Sequence, residues 1–126
     1  MPVLTQPPSM GDVLKYELNP NFTRETITLL AGTAYPVGAV LGRITASGKY
    51  KHATSGGTDG AQTAAAVLLY AVDATAADAS GLVVMRGPAI ISKAALVFDA
   101  TVDDAAKTTT KHGQLTALGI VPRDTA

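Results

Sequence analysis

The 126-residue chain has no cysteine and no tryptophan, only two phenylalanines and four tyrosines, and ten basic residues that balance ten acidic ones. Without cysteine there can be no disulfide staple, thiolate metal site or cysteine nucleophile, which fits assembly in a reducing cytoplasm. Without a basic block there is no concentrated source of counterion release, so nucleic acid is not an expected partner. No apolar run approaches the roughly 18 residues of a membrane span, and Met1 to Pro8 lacks a basic stretch followed by an apolar one. The chain therefore reads as soluble, not secreted, with no membrane partner. The shortage of aromatics matters energetically. A core of Ala, Val and Leu buries little area per side chain, at about 25 cal/mol per Å², and an oligomer would supply the missing burial.

What is present is organised as an arm and a body. Residues 1–22 carry Pro2, Pro7, Pro8 and Pro20 among polar residues, and proline both fixes φ and offers no N–H to a strand ladder. This segment reads as an extended N-terminal arm. Within it Val13-Leu14-Lys15-Tyr16-Glu17-Leu18 alternates, Leu14, Tyr16 and Leu18 falling on one face and Lys15 and Glu17 on the other. Such a strand can join the sheet edge of another protein or pair within its own domain, and the pattern alone does not choose.

Residues 23–126 read as a single β-rich domain, at a length that suits one core rather than two. Strands are predicted at Glu25 to Leu29, Val40 to Ile44, Lys49 to Lys51, within Gln62 to Val72, at Leu82 to Arg86 and at Ala89 to Ile91. Turns follow at Ala31-Gly32-Thr33, Tyr35-Pro36-Val37-Gly38, Ser47-Gly48 and Gly87-Pro88. One helix is predicted late, capped by Asp103 or Asp104 and stopped at Gly119. Its β-branched Thr108, Thr109 and Thr110, and Gly113, make it dependent on packing through Ala105, Ala106, Leu115 and Leu118. Ile120-Val121 is then free to return as an edge strand. The fold class is mainly β (β-rich α+β): a compact small β domain of short strands with one C-terminal helix.

Chemistry-bearing motifs are scarce. Gly42 to Tyr50 superficially resembles a phosphate-binding loop, but five residues separate its glycines where that loop has about four, and Tyr50 stands where a magnesium-binding hydroxyl is needed. A hairpin is the better reading. Ser55 to Gly60 reads as a surface loop in which Asp59 caps a turn. His52 and His112 are the chain's two histidines, they lie in different elements, and no Gly-x-Ser-x-Gly context accompanies them. Asp73 and Asp78 lack the oxygen density of a calcium loop. Asn21-Phe22-Thr23 matches a glycosylation pattern by chance. No catalytic, metal or cofactor site is expected, and the chain does not read as an enzyme.

Ala31-Gly32-Thr33-Ala34-Tyr35-Pro36, then Val40 to Tyr50, Thr58-Asp59-Gly60 and Val84-Met85-Arg86-Gly87-Pro88-Ala89 occur in an order and spacing that resembles the bacteriophage head decoration proteins of the lambda type. The resemblance covers residues 12 to 123. It implies a structural virion protein, made late, that passes through the host cytoplasm and ends on the exterior of the head. It further implies a homotrimer at local three-fold sites that binds the major capsid protein once the shell has expanded and cements it. In that family the arm is mobile in the free trimer and orders beside the capsid protein, which would place Val13, Leu14, Lys15, Tyr16, Glu17 and Leu18 at the contact. Two other readings exist. One is a biotinyl or lipoyl carrier or another small β-rich binding module, since Pro36 to Ile44 is also similar to a strand of the carrier domains, although Lys49 follows Ser47-Gly48 and lacks the Met or acidic neighbours of their modified lysine; the other is a tail or fibre accessory built on a similar β-rich trimer.

Overall fold

Val40-Leu41, Val67-Leu68 and Val83-Val84 are apolar pairs in which both members are fully buried, although neighbours on a strand face opposite ways. The computed structural model, which describes residues 10–124, gives the reason. Strands β2 (Arg24–Leu29), β4 (Val40–Arg43), β5 (Tyr50–His52), β6 (Ala64–Leu68) and β8 (Ala79–Val84) close into a barrel in the order β2-β5-β4-β6-β8. One face of these strands fills the barrel with Leu29, Leu41, Tyr50, Ala66, Leu68 and Val83. The other face, through Val40, Val67 and Val84, packs under a second layer that contributes Val13, Ile91, Leu115 and Ile120. Burial on both sides replaces alternation with continuous apolar runs.

The second layer is built on a three-stranded sheet, β1 (Leu14–Glu17), β9 (Ala89–Ser92) and β10 (Ile120–Arg123), with β9 in the middle, to which the N-terminal turn adds Val13 and the C-terminal helix adds Leu115. β1 runs antiparallel to β9, and β10 runs parallel to it. The segment read as an arm therefore contributes a strand to its own domain. It also forms two single helical turns, α1 (Met10–Val13) and α2 (Pro20–Thr23), the latter capped by the Asn19 side chain, which accepts from the N–H of Asn21 at 2.9 Å. A two-stranded ribbon, β3 (Ala34–Tyr35) with β7 (Val72–Asp73), leans on the barrel through Tyr35. Sequence reasoning reads these residues as a turn and as the end of one long strand. At two residues per strand, the ribbon is too short to carry a periodic signal.

Helix α3 (Ala105–Ala117) begins where predicted, the Asp104 carboxylate accepting from the N–H of Lys107 at 2.8 Å. Gly119 follows with φ of 83°, the left-handed conformation that ends helices. Its buried face differs from expectation. Lys111 and Leu115, one helical turn apart, are the buried residues, whereas Ala105 and Ala106 are exposed and Leu118 is 38% exposed. By helical periodicity the two alanines lie away from the Lys111–Leu115 stripe that meets β6 and β10.

The loop and hairpin readings stand. Residues Gly42 to Tyr50 turn from β4 into antiparallel β5, with Gly48 at φ of 74°. Asp59 accepts from the N–H of Ala61 at 3.0 Å as a turn cap. Asp73 accepts from Thr75 in the same manner, and Asp78 joins Ala31 and Lys49. Gly42 is required for close approach: an added Cβ would fall on the Ala61 backbone.

Candidate interaction surface

The residues Val13 to Leu18 do not share one fate. Val13 is fully buried in the core, and Leu14 packs against the same cluster half-buried. Lys15 bends back, its Nζ donating to the Gly11 carbonyl at 2.9 Å. Tyr16 is 49% and Leu18 60% exposed. The register against β9 shifts between Leu14 and Tyr16, so the simple alternation expected for this strand is broken, and Leu14 turns inward while Tyr16 and Leu18 face solvent.

Glu17 is the strand's electrostatic anchor. Its carboxylate receives Arg24 Nε at 3.0 Å, Arg24 Nη2 at 2.5 Å and the Thr23 hydroxyl at 2.7 Å. Burial alone would push this carboxyl up, but the hydrogen bonds from Arg24 and Thr23, with the guanidinium charge, hold it below the ordinary carboxylate value. The bond to Glu17 correspondingly raises Arg24. The forked geometry fastens the end of β1 to the start of β2.

Beyond Glu17, the Leu18 N–H donates to the Pro88 carbonyl at 3.0 Å. The Gly87-Pro88 peptide is cis, and Gly87 N–H donates to the Leu118 carbonyl at 2.9 Å. On the other side of this turn the Arg86 guanidinium donates to the Phe22 carbonyl, lies 5.5 Å from the centre of the Phe22 ring and pairs with Glu25 at 3.0 Å. Exposed Leu18, Phe22, Pro88 and Leu118 thus border one turn. Phe22, Arg86 and Leu118 carry no sequence signal for this role, because contacts between residues so far apart in the chain bring them together.

The two edges of the sheet are not equivalent. Along β1 every residue keeps a backbone N–H, and no strand lies on its outer side among the described residues. β10 contains Pro122, which has no N–H to offer a neighbour. The edge able to accept a further strand is β1.

Other residues singled out by sequence come from different elements. His52 is on β5 and His112 on α3, and Lys49 is ion-paired to Asp78 at 2.6 Å. Among the described residues no group of acidic, histidine or cysteine side chains could hold a metal ion, and no helix is long and apolar enough to cross a membrane.

Comparison with curated proteins gives no match. Comparison with protein families matches residues 3–120 to the family described as bacteriophage lambda head decoration protein D. With nearly its whole length matched and the expected β-rich fold in place, the chain belongs to the lambda head decoration protein D family, structural proteins of the phage head exterior.

Proposed function

We propose that this protein is a homotrimeric cement of the expanded phage head, seated at local three-fold positions and joined to the major capsid protein through the Val13–Leu18 strand. The observation that carries the reading is an open strand edge flanked by exposed Tyr16 and Leu18 in a chain of the decoration family. A partner strand laid along β1 would gain main-chain hydrogen bonds from the edge and side-chain contact from Tyr16 and Leu18. In this reading residues 1–22 form the contact arm, residues 23–126 form the body, and buried Val13 roots one in the other. The protein is made late and waits in the host cytoplasm until shells expand.

Three such contacts on one trimer convert weak binding into avid binding, by about 10²–10⁴ where all three engage together. A trimer that fits only the expanded lattice stabilises that lattice by mass action. The test is co-sedimentation with expanded and unexpanded shells, alongside the solution mass from light scattering. The trimer should pellet with expanded shells alone. Tyr16→Asp combined with Leu18→Asp should keep the trimer mass and abolish pelleting, and full occupancy by this variant would refute the assigned contact.

A further inference from the structure

The segment Leu96 to Val102 links the 3₁₀ turn at Lys93–Ala95 to the start of α3, and it is held to the barrel by few bonds. Val97 donates to the Gly38 carbonyl at 2.9 Å, Val40 donates to the Val97 carbonyl at 3.0 Å, and Ser55 N–H donates to the Thr101 hydroxyl at 3.0 Å. Leu96 and Val102 pin it from within. Both histidines of the chain converge on this strap. His52, from β5, shares an open cleft with Asp99 and stacks on Tyr35, ring centres 4.8 Å apart and 27° from parallel. His112, from α3, packs its ring against Phe98, centres 5.8 Å apart. Adjacent strap residues, Phe98 and Asp99, are therefore each met by a histidine.

Each ring has one buried nitrogen without a hydrogen-bond partner, Nδ1 of His52 and Nε2 of His112. A neutral imidazole tolerates this, since the orphan is a lone pair. A protonated imidazole has N–H on both nitrogens, and each buried N–H would then lie where no acceptor waits. The charged neighbours do not remove the difficulty. Around His52 stand Asp99, Lys51 and Tyr35; the Asp99 charge favours a protonated ring, but its Oδ2 accepts from the N–H and hydroxyl of Thr101 and neither of its oxygens is bonded to the buried His52 Nδ1, while Lys51 is paired with Asp59 at 2.6 Å. Around His112, Lys93 repels a positive charge and Asp124 attracts one. Burial is the largest influence on both rings and favours the neutral form in each.

We propose that His52 and His112 form a paired acid latch on the Leu96–Val102 strap: neutral rings hold the strap on the barrel, and protonated rings release it while the barrel stays closed. The charged rings reach water by swinging outward, and the segment they grip, joined to the barrel and to the Ser55 loop by three bonds among the described residues, yields before the β2–β8 ladder does. The latch lies on a different segment from the proposed capsid contact on β1.

The test is amide exchange followed by NMR on the full chain from pH 7.5 to 4.5, expressed as protection relative to the intrinsic rate, with both histidine rings titrated in the same samples. Protection of Val97 and Val40 should fall below pH 6.5 by about tenfold per pH unit for each histidine, while Ile27 and Leu82 on the β2–β8 ladder hold steady. His52→Phe with His112→Phe keeps both ring contacts and removes both protons, and should flatten the profile. A flat wild-type profile, an unchanged slope in the double variant, or rings that titrate at or above ordinary imidazole values would each overturn the latch. The wild-type exchange and ring titration decide the matter even where the double variant does not fold.

Discussion

Lys111 is almost completely buried, 1% exposed, and no carboxylate among the described residues is ion-paired to it. Its Nζ donates to the Gln62 carbonyl and lies 3.3 Å from Gln114 Oε1, which also accepts from Ala64 N–H at 2.8 Å. Lys111 and Gln114 thus satisfy the Gln62 carbonyl and the Ala64 N–H at the start of β6. Burial depresses the Lys111 ammonium. Lys111→Ala removes the stem and orphans a carbonyl, and should cost about 2–4 kcal/mol in denaturant unfolding. Lys111→Met keeps the stem and removes the unpaired charge, so it should be clearly more stable than the alanine variant. Glu17 makes the opposite electrostatic statement. Its carboxyl titrates lower in the folded chain than the value of about 4.3 in the unfolded one, so its contribution is complete above that value and disappears as pH falls through the folded one. Glu17→Gln should therefore lower stability at pH 7 and reduce the slope of stability against pH below about 4.5, measured by urea unfolding at several pH values.

At the scale of elements, α3 illustrates how far composition constrains a helix. The capping aspartate and terminating glycine were readable because they act on adjacent backbone, whereas the buried stripe depends on where β6 and β10 lie. Asp104→Ala should cost about 1 kcal/mol through the lost bond to Lys107 N–H. Leu115→Ala should cost about 2–5 kcal/mol, and Leu118→Ala well under half of that, because Leu115 is fully buried and Leu118 is not. Equal costs for the two leucines in thermal or chemical unfolding would contradict this packing. β1 is the other instructive element. Its apolar residues were legible as a strand, but the register shift that buries Leu14 and exposes Tyr16 comes from its pairing with β9.

At the scale of the whole molecule, two apolar clusters meet across strands buried on both faces, which explains how a chain with so few aromatics assembles a continuous core. The same arrangement makes the N-terminal segment part of the domain. Deleting residues 1–18 would remove Val13 and Leu14 from that core along with the proposed contact, and should destabilise the body by several kcal/mol on the scale of about 2–5 for each large apolar side chain lost. Surface substitution at Tyr16 and Leu18 should leave the unfolding free energy within about 0.5 kcal/mol of wild type. The two variant types are thereby separable by unfolding measurements before any shell is added.

The sequence by itself determined what adjacent residues can encode: absence of thiol chemistry, β-rich class, hairpin from Gly42 to Tyr50, a turn cap at Asp59, a helix cap at one of Asp103 and Asp104, helix stop at Gly119 and, through ordered short segments, the family. These depend on backbone geometry within a few residues, where side-chain chemistry acts directly. Only the tertiary structure decided that β1 pairs with β9, that Lys111 lies inside, that Tyr35 and Val72 belong to one ribbon, and that Phe22, Arg86 and Leu118 border one turn. Each of those outcomes joins residues distant in the chain, and the energy that selects it, burial of one specific face against another, is not expressed in any local pattern.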